Sequence, residues 1–89
     1  MAMPAMMVPP SQNVLSAFAR AALSRPGVLA VYAVVDGQGD ARVMVLLDRW
    51  DRGTRFGVYE AQEEVDPLER LHVSLTDRAE DIPQDATRV

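Results

Sequence analysis

The sequence predicts an α+β domain: a two-layer α/β sandwich of order α-β-β-α-β, with two helices on one face of a small antiparallel or mixed sheet. Three observations predict it. An amphipathic run over residues 11–25 ends at Pro26-Gly27. Two β-branched runs, 28–35 and 41–47, flank a glycine-containing loop. A polar helical stretch over 51–65 then leads into the alternating segment Leu71-His72-Val73-Ser74-Leu75.

The first helix, SQNVLSAFARAALSR, has Ser11 or Asn13 to cap its start. Leu15, Phe18, Ala22 and Arg25 recur at i, i+3 and i+7, with Val14 and Ala21 beside them. The strand runs VLAVYAVV and ARVMVLL lack polar alternation. They form a hairpin through Asp36-Gly37-Gln38-Gly39-Asp40, in which glycine supplies any positive φ. One hairpin face carries Leu29, Val31, Ala33 and Val35 with Val43, Val45 and Leu47. The other carries Ala30, Tyr32 and Val34 with Met44 and Leu46. Both faces are apolar.

Residues 51–65 read as one helix with Trp50, Val58, Ala61 and Val65 inward and Arg52, Arg55, Glu60, Glu63 and Glu64 outward. Gly53 and Gly57 oppose it at ~1 kcal/mol each. The rival reading is a strand over 54–59 followed by a helix from Ala61 to Leu71, which Pro67 disfavours. In the last strand Leu71, Val73 and Leu75 point inward. The domain is expected over 11–76, between a flexible tail at 1–10 and a polar tail at 77–89.

Composition narrows the chemistry. The 89 residues contain no cysteine, which removes disulfides, Cys-ligated metals and thiol nucleophiles. Nine arginines and no lysine exclude Schiff-base and phosphate-loop lysines. Net charge is −4, and it is uneven: three Arg against two acids over 1–47 give +1, and six Arg against eleven acids over 48–89 give −5. This balance makes nucleic acid an unfavoured partner and leaves a basic protein partner open. No apolar run approaches ~18 residues, so no membrane span is expected, and a cytoplasmic location is.

His72 is the one histidine. Ser74 and Asp77 are close to it, yet no nucleophile elbow or oxyanion loop accompanies them, and it reads as a solvent-side strand residue. The 36–40 loop fails as a calcium site because Ala41 and Leu47 stand where Gly and Glu are required. Asp48 and Asp51 flank Trp50 and suit a helix N-terminus better than a metal. No cofactor and no metal are expected. Arg49, Arg52 and Arg55 recur every three residues beside Trp50 and Phe56. That pattern offers two alternatives: a small-molecule or nucleotide site near Asp48, Trp50 and Arg52, or a weak single-stranded RNA grip through the three arginines.

Two resemblances are short. Arg25-Pro26-Gly27-Val28-Leu29-Ala30 is similar to the opening of ACT-type amino-acid-sensing domains, where it leads into a helix, whereas here it enters a strand. The element order also resembles small nucleotidyltransferases, but their Gly-Ser and paired-Asp motif is absent after 28–35. Neither carries a function to this chain.

The leading expectation is a non-enzymatic, self-associating interaction module, most simply a homodimer. Two helices cover one sheet face, leaving Tyr32, Val34, Met44 and Leu46 as an apolar patch for a partner.

Overall fold

The computed structural model describes residues 10–35 and 41–89. The 36–40 loop and most of the N-terminal tail expectation lie outside them. The elements are α1 (Pro10–Leu23), β1 (Val28–Val35), β2 (Ala41–Leu47), α2 (Arg52–Val65), β3 (His72–Thr76) and β4 (Thr87–Arg88). The fold is α+β, with two helices and a four-stranded mixed sheet of order β3-β2-β1-β4. β1 is antiparallel to β2 and to β4, and β2 is parallel to β3.

α1 begins at Pro10, one residue before the expected start, so Ser11 and Asn13 lie inside the helix rather than capping it. A proline at the first helical position is well placed, because its missing N–H has no intrahelical partner to lose. The helix ends before the expected Pro26-Gly27. The Ser24 hydroxyl donates to the Ala21 carbonyl at 2.7 Å, and Gly27 takes φ +86°. Only glycine adopts that conformation without strain. The Gly27 carbonyl then accepts from Asp48 N at 2.9 Å, closing the open end of the hairpin.

The core lies between helices and sheet: Phe18, Ala19 and Ala22 of α1, Val31, Val43, Val45 and Leu47 of the hairpin, Val58 and Ala61 of α2, and Leu71. Val14, Leu15, Ala21, Val28, Val65, Val73 and Leu75 pack around it. The 51–65 stretch is thus a helix despite its two glycines, because the burial of Val58, Ala61 and Val65 outweighs a local propensity cost.

The structure departs from the sequence pattern at four further points. Leu29 does not face the core but is 51% exposed. The register shifts between Val28 and Ala30, so Val28 pairs with Leu47 and takes the inward place. A bulge reverses side-chain alternation wherever it occurs. Trp50 is also outside, because it precedes the first turn of α2. The last strand is shifted by one residue to His72–Thr76. Finally, the 77–89 segment is not merely a polar tail, because Thr87 and Arg88 pair with Ala33 and Tyr32 as a fourth strand.

β4 lies on the sheet edge opposite β3, so residues 77–86 must carry the chain past both hairpin strands. They start with a 3-10 turn at Ala79–Asp81, tied down by Thr76, whose hydroxyl donates to Asp81 Oδ2 at 2.6 Å. Ala30 and Thr76 face away from the helices and are nevertheless buried. Ile82 and Ala86 of the connection are half-buried without joining the helix-side core. The connection therefore crosses on the face away from the helices.

Candidate interaction surface

The turn between β2 and α2 is built by its own charges. Asp51 precedes α2 and accepts a hydrogen bond from Thr54 N at 2.7 Å, the geometry of an N-cap. This bond, helped by the Thr54 side chain and by Arg49 and Arg55, holds the Asp51 carboxyl below the usual aspartate range. Arg49 Nε donates to Asp48 Oδ1 at 3.2 Å and lies 3.9 Å from Asp51 Oδ2. Arg55 donates to the Asp51 carbonyl at 3.3 Å and sits 5.1 Å over the Trp50 ring. That distance is within cation–π range. Asp48, Arg49, Trp50 and Arg55 are thus brought together, as the sequence suggests, but they spend much of their bonding capacity on one another. Among the described residues, no group of three potential ligands could hold a metal ion.

α2 presents three distinct flanks. Its inward side carries Val58, Ala61, Gln62 and Val65. Its α1 side is fixed by Arg25, which reaches Glu64 at 2.8 Å and Glu60 at 3.7 Å and packs beside Gly57. The third side carries Arg52, Arg55, Phe56, Tyr59 and Glu63, which recur at helical spacing. Phe56 is 60% exposed and Tyr59 50% exposed, and Trp50 adds its half-exposed ring at one end. Arg52, Arg55, Phe56 and Tyr59 line a shallow depression. It continues into a groove where Tyr59, Gln62, Glu63 and Asp66 border Leu71 and the first residues of β3, His72–Ser74. This flank therefore overhangs the outer edge of the sheet, where β3 has no further strand beside it among the described residues.

The floor of the groove holds a network that sequence reasoning misses. Asp66, buried at the C-terminus of α2, accepts from Gln62 Nε2 at 3.0 Å, Leu71 N at 2.9 Å and Arg70 N at 2.9 Å. Gln62 Nε2 also donates to the Leu71 carbonyl at 3.0 Å. Burial pushes the Asp66 carboxyl up, but the bonds from Leu71, Gln62 and Arg70, with the Arg70 charge, outweigh it and hold the group below its ordinary value. The network fixes the 66–71 turn, including Glu69 at φ +53°, and sets where β3 begins. The available signal was the Gln62/Asp66 spacing of four at a helix end, followed by Pro67.

The other predicted surface lies on the opposite layer. Tyr32, Val34, Met44 and Leu46 share the sheet face away from the helices, and each is half-buried. Polar neighbours border them: Arg42, His72 and Ser74 are exposed on the same face. Among the described residues, no hydrogen bond joins His72 to Ser74 or Asp77, and no helix is long and apolar enough to cross a membrane. Comparison with known proteins gives no matching family model, curated protein or solved structure.

Proposed function

We propose that this chain is a non-enzymatic protein-interaction module whose docking surface is the outer flank of α2. One observation carries the reading: Trp50, Phe56 and Tyr59 are about half exposed or more along one strip, while the other sides of α2 are occupied by the core and by Arg25. Aromatic residues and arginine dominate the energetics of protein interfaces, and here they are adjacent. The sheet face with Tyr32, Val34, Met44 and Leu46 offers less to a partner, because those side chains are already half-buried and exposed polar residues border them.

Photo-crosslinking in the cells that make the protein tests this. A photoreactive residue replacing Tyr59 gives a protein adduct, and one replacing Met44 does not. Adducts from position 44 alone would move the docking surface to the sheet and end this reading.

A second reading, single-stranded RNA stacked on the same strip, has Arg52 and Arg55 beside three exposed aromatics in its favour. The acidic side chains of Glu60, Glu63 and Glu64 on the same helix oppose it. Oligonucleotide binding at low salt that weakens with Arg52→Ala would establish it, and no retention would remove it.

A further inference from the structure

We infer that the occupant of the α2 flank is a second copy of this chain, its own α2 lying antiparallel across a two-fold axis. The inference rests on the flank being a docking surface, and it adds the partner and its register. In an isologous pair the same strip meets itself, so contacting positions on the two antiparallel helices sum to a constant. Placing Phe56 opposite the partner's Tyr59 fixes that constant, because these are the two most exposed aromatics of the helix. The same register sets Arg52 opposite the partner's Glu63, and by symmetry Glu63 opposite the partner's Arg52. The strip is therefore self-complementary: cation, two rings, anion, read in opposite directions by the two copies.

The ion pairs within the protomer agree with this pattern. Glu60 and Glu64 are held by Arg25, and Arg49 and Arg55 are engaged with Asp51 and Trp50. Arg52 and Glu63, both exposed, have no ion-pair partner among the described residues. Within α2, the two side chains that an antiparallel pair would join are the ones left without an ion-pair or cation–π partner in the protomer. Beneath the helix, the outer edge of β3 lies on the same side. The two-fold axis that pairs the helices brings two β3 edges toward each other, which shields a sheet edge that otherwise invites unspecific pairing.

Charge exchange at these two positions is the test, read by light scattering across a dilution series. The wild-type chain has twice the 9.8 kDa protomer mass. Arg52→Glu and Glu63→Arg each place like charges opposite one another twice per dimer, and each raises the dissociation constant by roughly tenfold or more. Mixing the two single variants in equal amounts restores the dimer, because both cross-pairs become favourable, and the double variant R52E/E63R also dimerises. Unchanged far-ultraviolet circular dichroism shows that the exposed substitutions leave the fold intact. A wild-type dimer indifferent to all four combinations overturns the antiparallel register. A wild-type monomer at about millimolar concentration overturns self-association. If crosslinks from position 59 then carry a mass other than a second copy, the docking surface stands and only this inference falls; if position 59 gives no crosslink, both fall.

Discussion

Gln62 and Asp66, one helical turn apart, are joined at 3.0 Å at the buried end of α2, and the same Gln62 nitrogen also donates to the Leu71 carbonyl. The pair turns a helix terminus into the anchor of the following strand. Asp66 receives three donors, so removing it takes an acceptor from the buried Leu71 N–H and Gln62 amide and from the part-buried Arg70 N–H.

Asp66→Ala accordingly destabilises the protein by about 2–4 kcal/mol, because unsatisfied buried donors retain their full desolvation cost. Urea denaturation measures it. A loss within error of zero would mean that solvent reaches the turn and replaces the carboxylate.

Acid sensitivity follows from the same group. Asp66 and Asp51 both have folded-state pKa values below the ordinary 3.8, so both bind protons more weakly in the folded than in the unfolded chain. Their stabilisation is present above the unfolded value and is lost as pH falls through the folded values, that is, below about pH 4. Thermal unfolding followed from pH 6 to pH 2 shows a falling Tm in that window, and Asp66→Asn makes the fall shallower. A variant whose Tm falls as steeply as the wild type's would remove Asp66 from the account.

The glycines separate cleanly. At Gly27 a Cβ atom would come within 2.8 Å of Thr54 Cγ2, at a φ of +86° that other residues rarely adopt. Gly27→Ala therefore destabilises by more than ~1 kcal/mol. At Gly57 the nearest atom to a Cβ is Arg25 Cβ at 3.8 Å, an ordinary contact. Gly57→Ala stabilises by about 0.5–1 kcal/mol through helix propensity. Opposite signs of the two shifts in Tm are the expected result, and equal signs would contradict it.

Phe18 is fully buried at the centre of the helix-side core. Phe18→Ala opens a cavity and costs about 3–5 kcal/mol, which denaturant titration reads directly.

On the two candidate surfaces, Phe56→Ser lowers the apparent molar mass at fixed concentration and Tyr32→Ser leaves it unchanged, as sedimentation velocity would record. The reverse ranking would return the interface to the sheet face away from the helices.

The sequence makes much of this architecture legible, because its strong signals are local. The Pro26-Gly27 stop, the hairpin runs and the inward spacing of Phe18 and Ala22 each depend on neighbours in the chain. What escaped was set by pairing at a distance. The shift between Val28 and Ala30 that turns Leu29 outward depends on how Leu46 and Leu47 sit across the ladder. The strand at Thr87–Arg88 exists because β1 has a free edge, and its own two residues carry no strand signal. Trp50 fits the inward spacing of a 51–65 helix with Val58, Ala61 and Val65, yet its position before the Asp51 cap leaves it outside. The spacing of the nearby arginines is legible in the sequence, but the exposure of Phe56 and Tyr59 depends on Arg25, distant in sequence, occupying the neighbouring flank of α2.

The strand order β3-β2-β1-β4 also constrains the route by which the chain folds. The two central strands are the earliest in sequence and are joined by a short connection, so their hairpin closes first and at low entropic cost. Each later strand then adds to one flank, and β4 arrives only after ten residues have been carried past both central strands. Until then the outer side of β1 stays bare. A ribosome-bound chain would hold an apolar hairpin with unsatisfied backbone groups longest on that side. Pairing at Thr87 and Arg88 is the step that ends this exposure.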